Sequence, residues 1–144
     1  MKSLCIKEPW ASKILLGLKT IETRTWKTNY RGRMLLCASA KPETELSGHA
    51  FAIATLQDCV QMNRTHEDNA CCEYKPELYA WILSDITPIN IFKVRGRQGL
   101  FNFKKEHILE MSDREKHLNE ITKEILIHTR GGEEIHCCYK KEDG

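Results

Sequence analysis

Lys19, Glu22 and Arg24 fall within six residues of one another, a spacing that can place an ammonium, a carboxylate and a guanidinium at one site. Glu22 and Arg24 are two apart, so in a strand they point to the same face and can pair. Such a pair orients Arg24 for a ligand while leaving donors free, or it is a structural ion pair inside the fold. Lys19 can present its charge to a phosphate or, if desolvated, titrate low enough to act as a base. The alternative is a solvated lysine following a helix. Trp10, Trp26 and Trp81 supply aromatic faces; beside cations, one of them can stack on an unpaired base, at roughly 1–3 kcal/mol per base. Trp26 or Trp10 is expected at such a cleft, with the others packed in the core. Ser39 and Lys41 either complete the rim or end an ordinary strand.

The elements that must hold these groups are legible in the periodicity. Residues 3–6 form a short apolar strand, after which Pro9 opens a helix carrying Trp10, Ile14, Leu15 and Leu18 at helical spacing. Gly17 ends it, and residues 19–24 alternate as a strand, which puts Lys19 at the helix-to-strand turn. Buried strands are expected at 33–40 and 50–62, with a long polar loop at 63–77. Strands at 79–85, 89–94 and 100–103 follow, the first two separated by Pro88. Ser112 caps a C-terminal amphipathic helix, Asp113 to about Ile127, with Leu118, Ile121 and Ile125 on one stripe. The fold class is α+β, mainly β: a small, partly closed barrel of about six strands with an N-terminal helix at the cleft. Residues 1–109 are the domain, and 110–144 a helix and polar tail packed on it, unless that helix binds a protein partner.

Composition narrows the function. The 144 residues carry 22 Lys or Arg, 20 Asp or Glu and 41% hydrophobic residues, an ordinary globular make-up with room for one domain. The net charge of +2 is polarised: +7 over residues 1–41, −6 over 42–91, +4 over 92–109 and −3 beyond. The basic blocks flank Arg31-Gly32-Arg33 and Arg95-Gly96-Arg97; if these turns share one end of the barrel, they make a cationic mouth suited to phosphate. Otherwise they are scattered surface charges. No apolar run reaches the ~20 residues of a membrane helix, no secretory signal opens the chain, and a cytoplasmic protein without membrane contact is expected. Cys5, Cys37 and Cys59 sit in apolar stretches as reduced thiols. The vicinal pairs Cys71-Cys72 and Cys137-Cys138, with His128 and His136 nearby, lack the C-x2-C spacing of zinc sites, so neither metal nor cofactor is expected.

The strings Glu8-Pro9-Trp10-Ala11-Ser12, Gly17 to Trp26 and Tyr30-Arg31-Gly32, joined by Trp81-Ile82-Leu83 and by Val94 to Phe101, resemble the ASCH domain, named for homology to a transcription coactivator. The resemblance covers residues 3 to about 104. It implies a PUA-like β-barrel with a cleft and a link to RNA, through binding or through chemistry on modified nucleosides. As a binding module, the cleft holds single-stranded RNA or a modified nucleoside, with Trp10, Lys19, Arg24, Trp26, Tyr30, Arg31, Ser39, Lys41, Arg95 and Arg97 as contacts. Protein partners in a translation or transcription assembly are a further implication. Some short bacterial members resembling this chain are amidohydrolases acting on N4-acetylcytidine, using the motif lysine, a threonine three residues later and a distal acid. Here Glu22 stands at the threonine's position. An enzyme would then use Lys19 as base, Glu22 as proton shuttle, Thr20 or Thr23 nearby, and Glu67, Asp68 or Glu73 as the acid. A ribonuclease is also compatible with the link to RNA, although no His pair stands at a diagnostic spacing.

Overall fold

A computed structural model describes residues 1–104 of the chain. Six strands form one curled, half-barrel sheet in the order β2-β5-β4-β3-β1-β6. They are β1 (Lys2–Ile6), β2 (Ile21–Arg24), β3 (Gly32–Ala38), β4 (His49–Gln61), β5 (Tyr79–Lys93) and β6 (Leu100–Asn102), with helices α1 (Trp10–Leu15) and α2 (Glu67–Ala70). The domain is mainly β, as the periodicity indicates. β1 and β3 run parallel, with Cys5 opposite Cys37, and the other ladders are antiparallel. A parallel pair needs a long crossover, and here the crossover carries α1 and β2, the two elements richest in the candidate residues.

Residues 4–6 of β1 and 34–38 of β3 are continuously apolar because both faces of the sheet are covered at its centre. On one face Leu4, Ile6, Met34 and Leu36 pack with Phe51, Trp81 and the Ala11-Ile14-Leu15 side of α1. Leu35, Cys37 and Ala50 form the opposite layer beneath Phe92, Phe101 and Phe103. A smaller cluster of Ile21, Met62, Ala70, Leu78 and Ala80 seats α2 against β2.

Three expectations are corrected. The helix ends at Leu15, earlier than the apolar spacing suggests: Gly17 adopts φ +80° and Leu18 is exposed. Residues 63–77 are not a plain loop. The Asn63 side chain accepts from the Thr65 N–H and starts a 3₁₀ turn, Arg64–His66, that runs into α2. Pro88 does not divide two strands; it lies opposite Ala52 within a continuous β5, between register shifts where its missing N–H is tolerated. The expected C-terminal helix and the 110–144 segment lie outside the described residues. Among the described residues, no helix is long and apolar enough to cross a membrane.

Candidate functional site

The helix-to-strand turn brings Lys19 inward. After Gly17 turns the chain, the N–H groups of Leu18 and Lys19 both reach the Lys13 carbonyl, and the Thr20 N–H donates to the Asn69 carbonyl. Lys19 is 1% exposed. Its Nζ donates to the Ala70 carbonyl at 2.5 Å, one of the carbonyls that the end of α2 leaves without an intrahelical partner, and lies 3.5 Å from Glu22 Oε1. The turn therefore holds a buried ammonium between two acceptors.

Strand alternation sets the rest. Arg24 Nε and Nη2 both donate to Glu22 Oε2, at 3.2 and 2.9 Å, the forked pairing that the two-residue spacing allows. Nη2 also donates to the Cys5 carbonyl at 2.7 Å, joining edge strand β2 to β1 where no ladder connects them. Glu22 is thus a buried carboxylate held by two cations, which meets the demand that an interior charge be paired and hydrogen-bonded.

This trio lies in the wall of a cavity of about 480 Å³ that Trp10, Trp26, Ser39 and Lys41 also line. Trp26 is 37% exposed and meets the buried Trp81 edge-on, with ring centroids 4.7 Å apart. The Trp81 Nε1–H donates to the Trp26 carbonyl at 3.2 Å, so a core indole fixes the position of a cleft indole. A second cavity of about 490 Å³ shares Cys5, Arg24, Trp26 and Ser39 with the first and is lined by Arg97.

The structure does not gather every candidate. Arg31 pairs with Asp58 at 3.3 Å and donates to the Thr28 and Tyr30 carbonyls, and the Tyr30 hydroxyl donates to the Arg33 carbonyl. Neither lines either of these two cavities, nor do Thr20 and Arg95. The two Arg-Gly-Arg turns do not meet as one mouth: Gly32 opens β3, whereas Gly96 packs on Cys5, which lies opposite Cys37 at the far end of that strand, and Arg31 pairs instead with Asp58 of β4. Thr23, not Thr20, reaches the first cavity. Glu67 is engaged by the Tyr74 N–H at 2.7 Å, and none of Glu67, Asp68 and Glu73 lines either cavity.

Sequence reasoning missed Lys7 and Cys5, which enter the lining because β1 ends at the cleft. It also passed over the carboxylate of Glu8, 2% exposed, which accepts from Ser12 N–H at 2.9 Å and Ser12 Oγ at 2.5 Å and ties down the start of α1. The Glu8 and Ser12 spacing of four was the available signal. Cys5 has an unusual environment. The Cys37 thiol, the Arg97 backbone N–H and the charge of Arg24 outweigh burial and bring its pKa down to about 7. Cys37, which donates to Cys5 from a buried position, is pushed strongly upward. Among the described residues, no three His, Cys, Asp or Glu side chains cluster as a metal site.

A curled, mainly β domain in which a buried Lys19–Glu22 pair and a half-buried Arg24 line one cavity with an exposed indole defines a small cleft-bearing module. The chain belongs to the ASCH domain family, which matches residues 4–95. A 38-residue stretch is 45% identical to human activating signal cointegrator 1 and 42% identical to the mouse protein; it spans 26% of this chain and 6% of those relatives. The fold resembles that of the Zymomonas mobilis ASCH protein. A single-residue variant of that protein gives a TM-score of 0.59 at 18% identity, over 76% of this chain and 94% of the other. Its unsubstituted crystal structure gives 0.52, over 81% and 91%.

Proposed function

We propose that the first cavity binds a nucleotide of single-stranded RNA or a modified nucleoside, with Trp26 stacking on the base and Lys7, Arg24 and Lys41 facing the phosphate and sugar. The observation that carries this reading is the preorganised trio lining one cavity with an exposed indole. Lys7, Lys19, Arg24 and Lys41 outnumber Glu22 among the charged side chains of the lining, which leaves it a cationic excess, with Lys41 paired at the exposed rim to Glu43 at 2.9 Å. A cleft of this charge attracts the phosphate backbone, and an indole face suits a base without regard to its identity. The family's link to RNA supports the same reading. The test is filter binding of a single-stranded RNA at two ionic strengths, with wild type, Lys41→Ala and Trp26→Ala. Affinity should fall with salt and with each substitution; absence of binding at low salt refutes it.

The 3.5 Å contact of Lys19 with Glu22, beside Thr23 in an enclosed wall, is the observation in favour of the second reading, a hydrolase acting on N4-acetylcytidine or RNA. Against it, Lys19 Nζ is held between two acceptors, the Ala70 carbonyl and Glu22, and Glu22 is the sole carboxylate lining either cavity. Release of cytidine from N4-acetylcytidine by the purified protein would establish the enzyme, and absence of turnover would remove it.

A further inference from the structure

The first cavity does not end at Trp26. Cys5, Arg24, Trp26 and Ser39 form a wall common to both cavities, so the two are compartments of one cleft, each within the roughly 300–1,000 Å³ of small-molecule sites. Their chemistry differs. The first compartment holds the buried carboxylate of Glu22. In the second, the charged side chains of the lining are Arg24 and Arg97, with no acid, and much of the remaining surface is backbone, offered by Ala38, Ala40, Gly48, Gly96 and Gly99. That surface is fixed in place: a Cβ at Gly96 would stand 2.6 Å from Cys5 Sγ, so the loop before β6 lies directly against β1. A wall of small residues lets a ligand's own backbone come close.

Arg24 sits at the junction. Its Nε and Nη2 are committed to Glu22 and the Cys5 carbonyl, whereas Nη1 has no partner among the described residues. The guanidinium is therefore oriented by two fixed contacts and keeps one end for an anion in the shared wall. The Arg97 guanidinium is exposed and likewise has no described partner. One anionic centre between two compartments, flanked by two arginines, matches a phosphodiester linking two nucleosides.

We propose that the cleft recognises a dinucleotide unit: one nucleoside lies in the Lys19–Glu22 compartment, the bridging phosphate at Arg24 Nη1 and Arg97, and the adjoining nucleoside against the glycine-lined wall. This rests on the nucleotide-binding reading and adds to it that a free nucleoside is an incomplete ligand.

The test is titration calorimetry of the full chain at low salt with the four ribonucleosides, their 3′- and 5′-monophosphates, and the four matching homodinucleoside monophosphates. For at least one base, the dinucleoside monophosphate should bind at least about tenfold more tightly than the nucleoside and several-fold more tightly than either mononucleotide. Arg97→Ala and Arg97→Glu, both at an exposed side chain without a partner among the described residues, should cut the tenfold preference to threefold or less, the charge reversal more severely. A dinucleoside preference absent from wild type, or untouched by both substitutions, overturns this proposal while nucleotide binding stands. Mononucleotides as tight as the dinucleoside monophosphate overturn it too, reducing the second compartment to a phosphate site. Failure of every probe to bind removes both the proposal and the reading beneath it.

Discussion

Replacing Lys19 by methionine keeps most of the side-chain volume and removes the ammonium, so it isolates the electrostatic contribution of the trio. At 3.5 Å and an effective dielectric of about 20, the gross attraction of Lys19 for Glu22 is about 5 kcal/mol. Desolvation of two buried groups offsets much of it. The cost of the substitution is therefore set by what remains: a buried carboxylate left with Arg24 alone and an Ala70 carbonyl without its donor. Breaking a buried pair costs roughly 3–5 kcal/mol. Because Arg24 still compensates Glu22, the low end applies, about 3 kcal/mol, or a fall in Tm of about 9 °C for a chain of this size. Urea denaturation at pH 7 measures it. A double-mutant cycle with Glu22→Gln should return a coupling above about 1 kcal/mol. A cost below about 1 kcal/mol with no coupling would place Lys19 among solvated surface pairs and refute the argument that the turn stores an interior charge.

Trp26→Ala should weaken RNA binding by roughly 1–3 kcal/mol, read by filter binding, because the stacking face is lost. Leu36→Ala, in the fully buried centre of β3, should lower stability by roughly 2–5 kcal/mol in the same denaturation assay. Cys5 should react with iodoacetamide at a rate that rises through about pH 7 and levels off above it, since its thiolate is favoured in the folded state; Cys37 should stay unlabelled until unfolding. Peptide mapping after timed labelling distinguishes the two thiols. Gly96→Ala should push the loop off Cys5, remove the Arg97 N–H from the sulfur and shift that labelling curve to higher pH.

Much of this site is legible in the sequence because it depends on local spacing. The two-residue interval of Glu22 and Arg24 gives their forked pairing, and Gly17 followed by Lys19 gives the turn. Aromatic faces near cations point to Trp26 or Trp10 at the cleft, and both line the first cavity while Trp81 is buried. What the sequence does not reveal depends on non-local register. Asp58 captures Arg31 because β4 lies beside β3, and Cys5 meets Arg24 because the sheet curls until its β2 edge approaches β1. Pro88 reads as a strand break locally, yet the bulges of the β4–β5 ladder accommodate it. The short helix α2 is hidden by its polar sequence, being held by Ala70 packing under Leu78 rather than by an amphipathic stripe of its own.

The pairing of β2 has a consequence for when the cleft exists. β2 joins the sheet through β5 alone, with Ile21 opposite Ile82 and Arg24 opposite Tyr79, so the strand that carries Glu22 and Arg24 waits for a partner about sixty residues downstream. Closing so long a loop is slow relative to local structure. During synthesis, β1, α1 and β3 can begin to associate while β2 still lacks its neighbour, and Lys19 lacks the carbonyl of Ala70. A nascent chain short of residue 82 therefore carries Lys19, Glu22 and Arg24 without the whole of the strand that seats them, and the cleft can be completed only after β5 has been made.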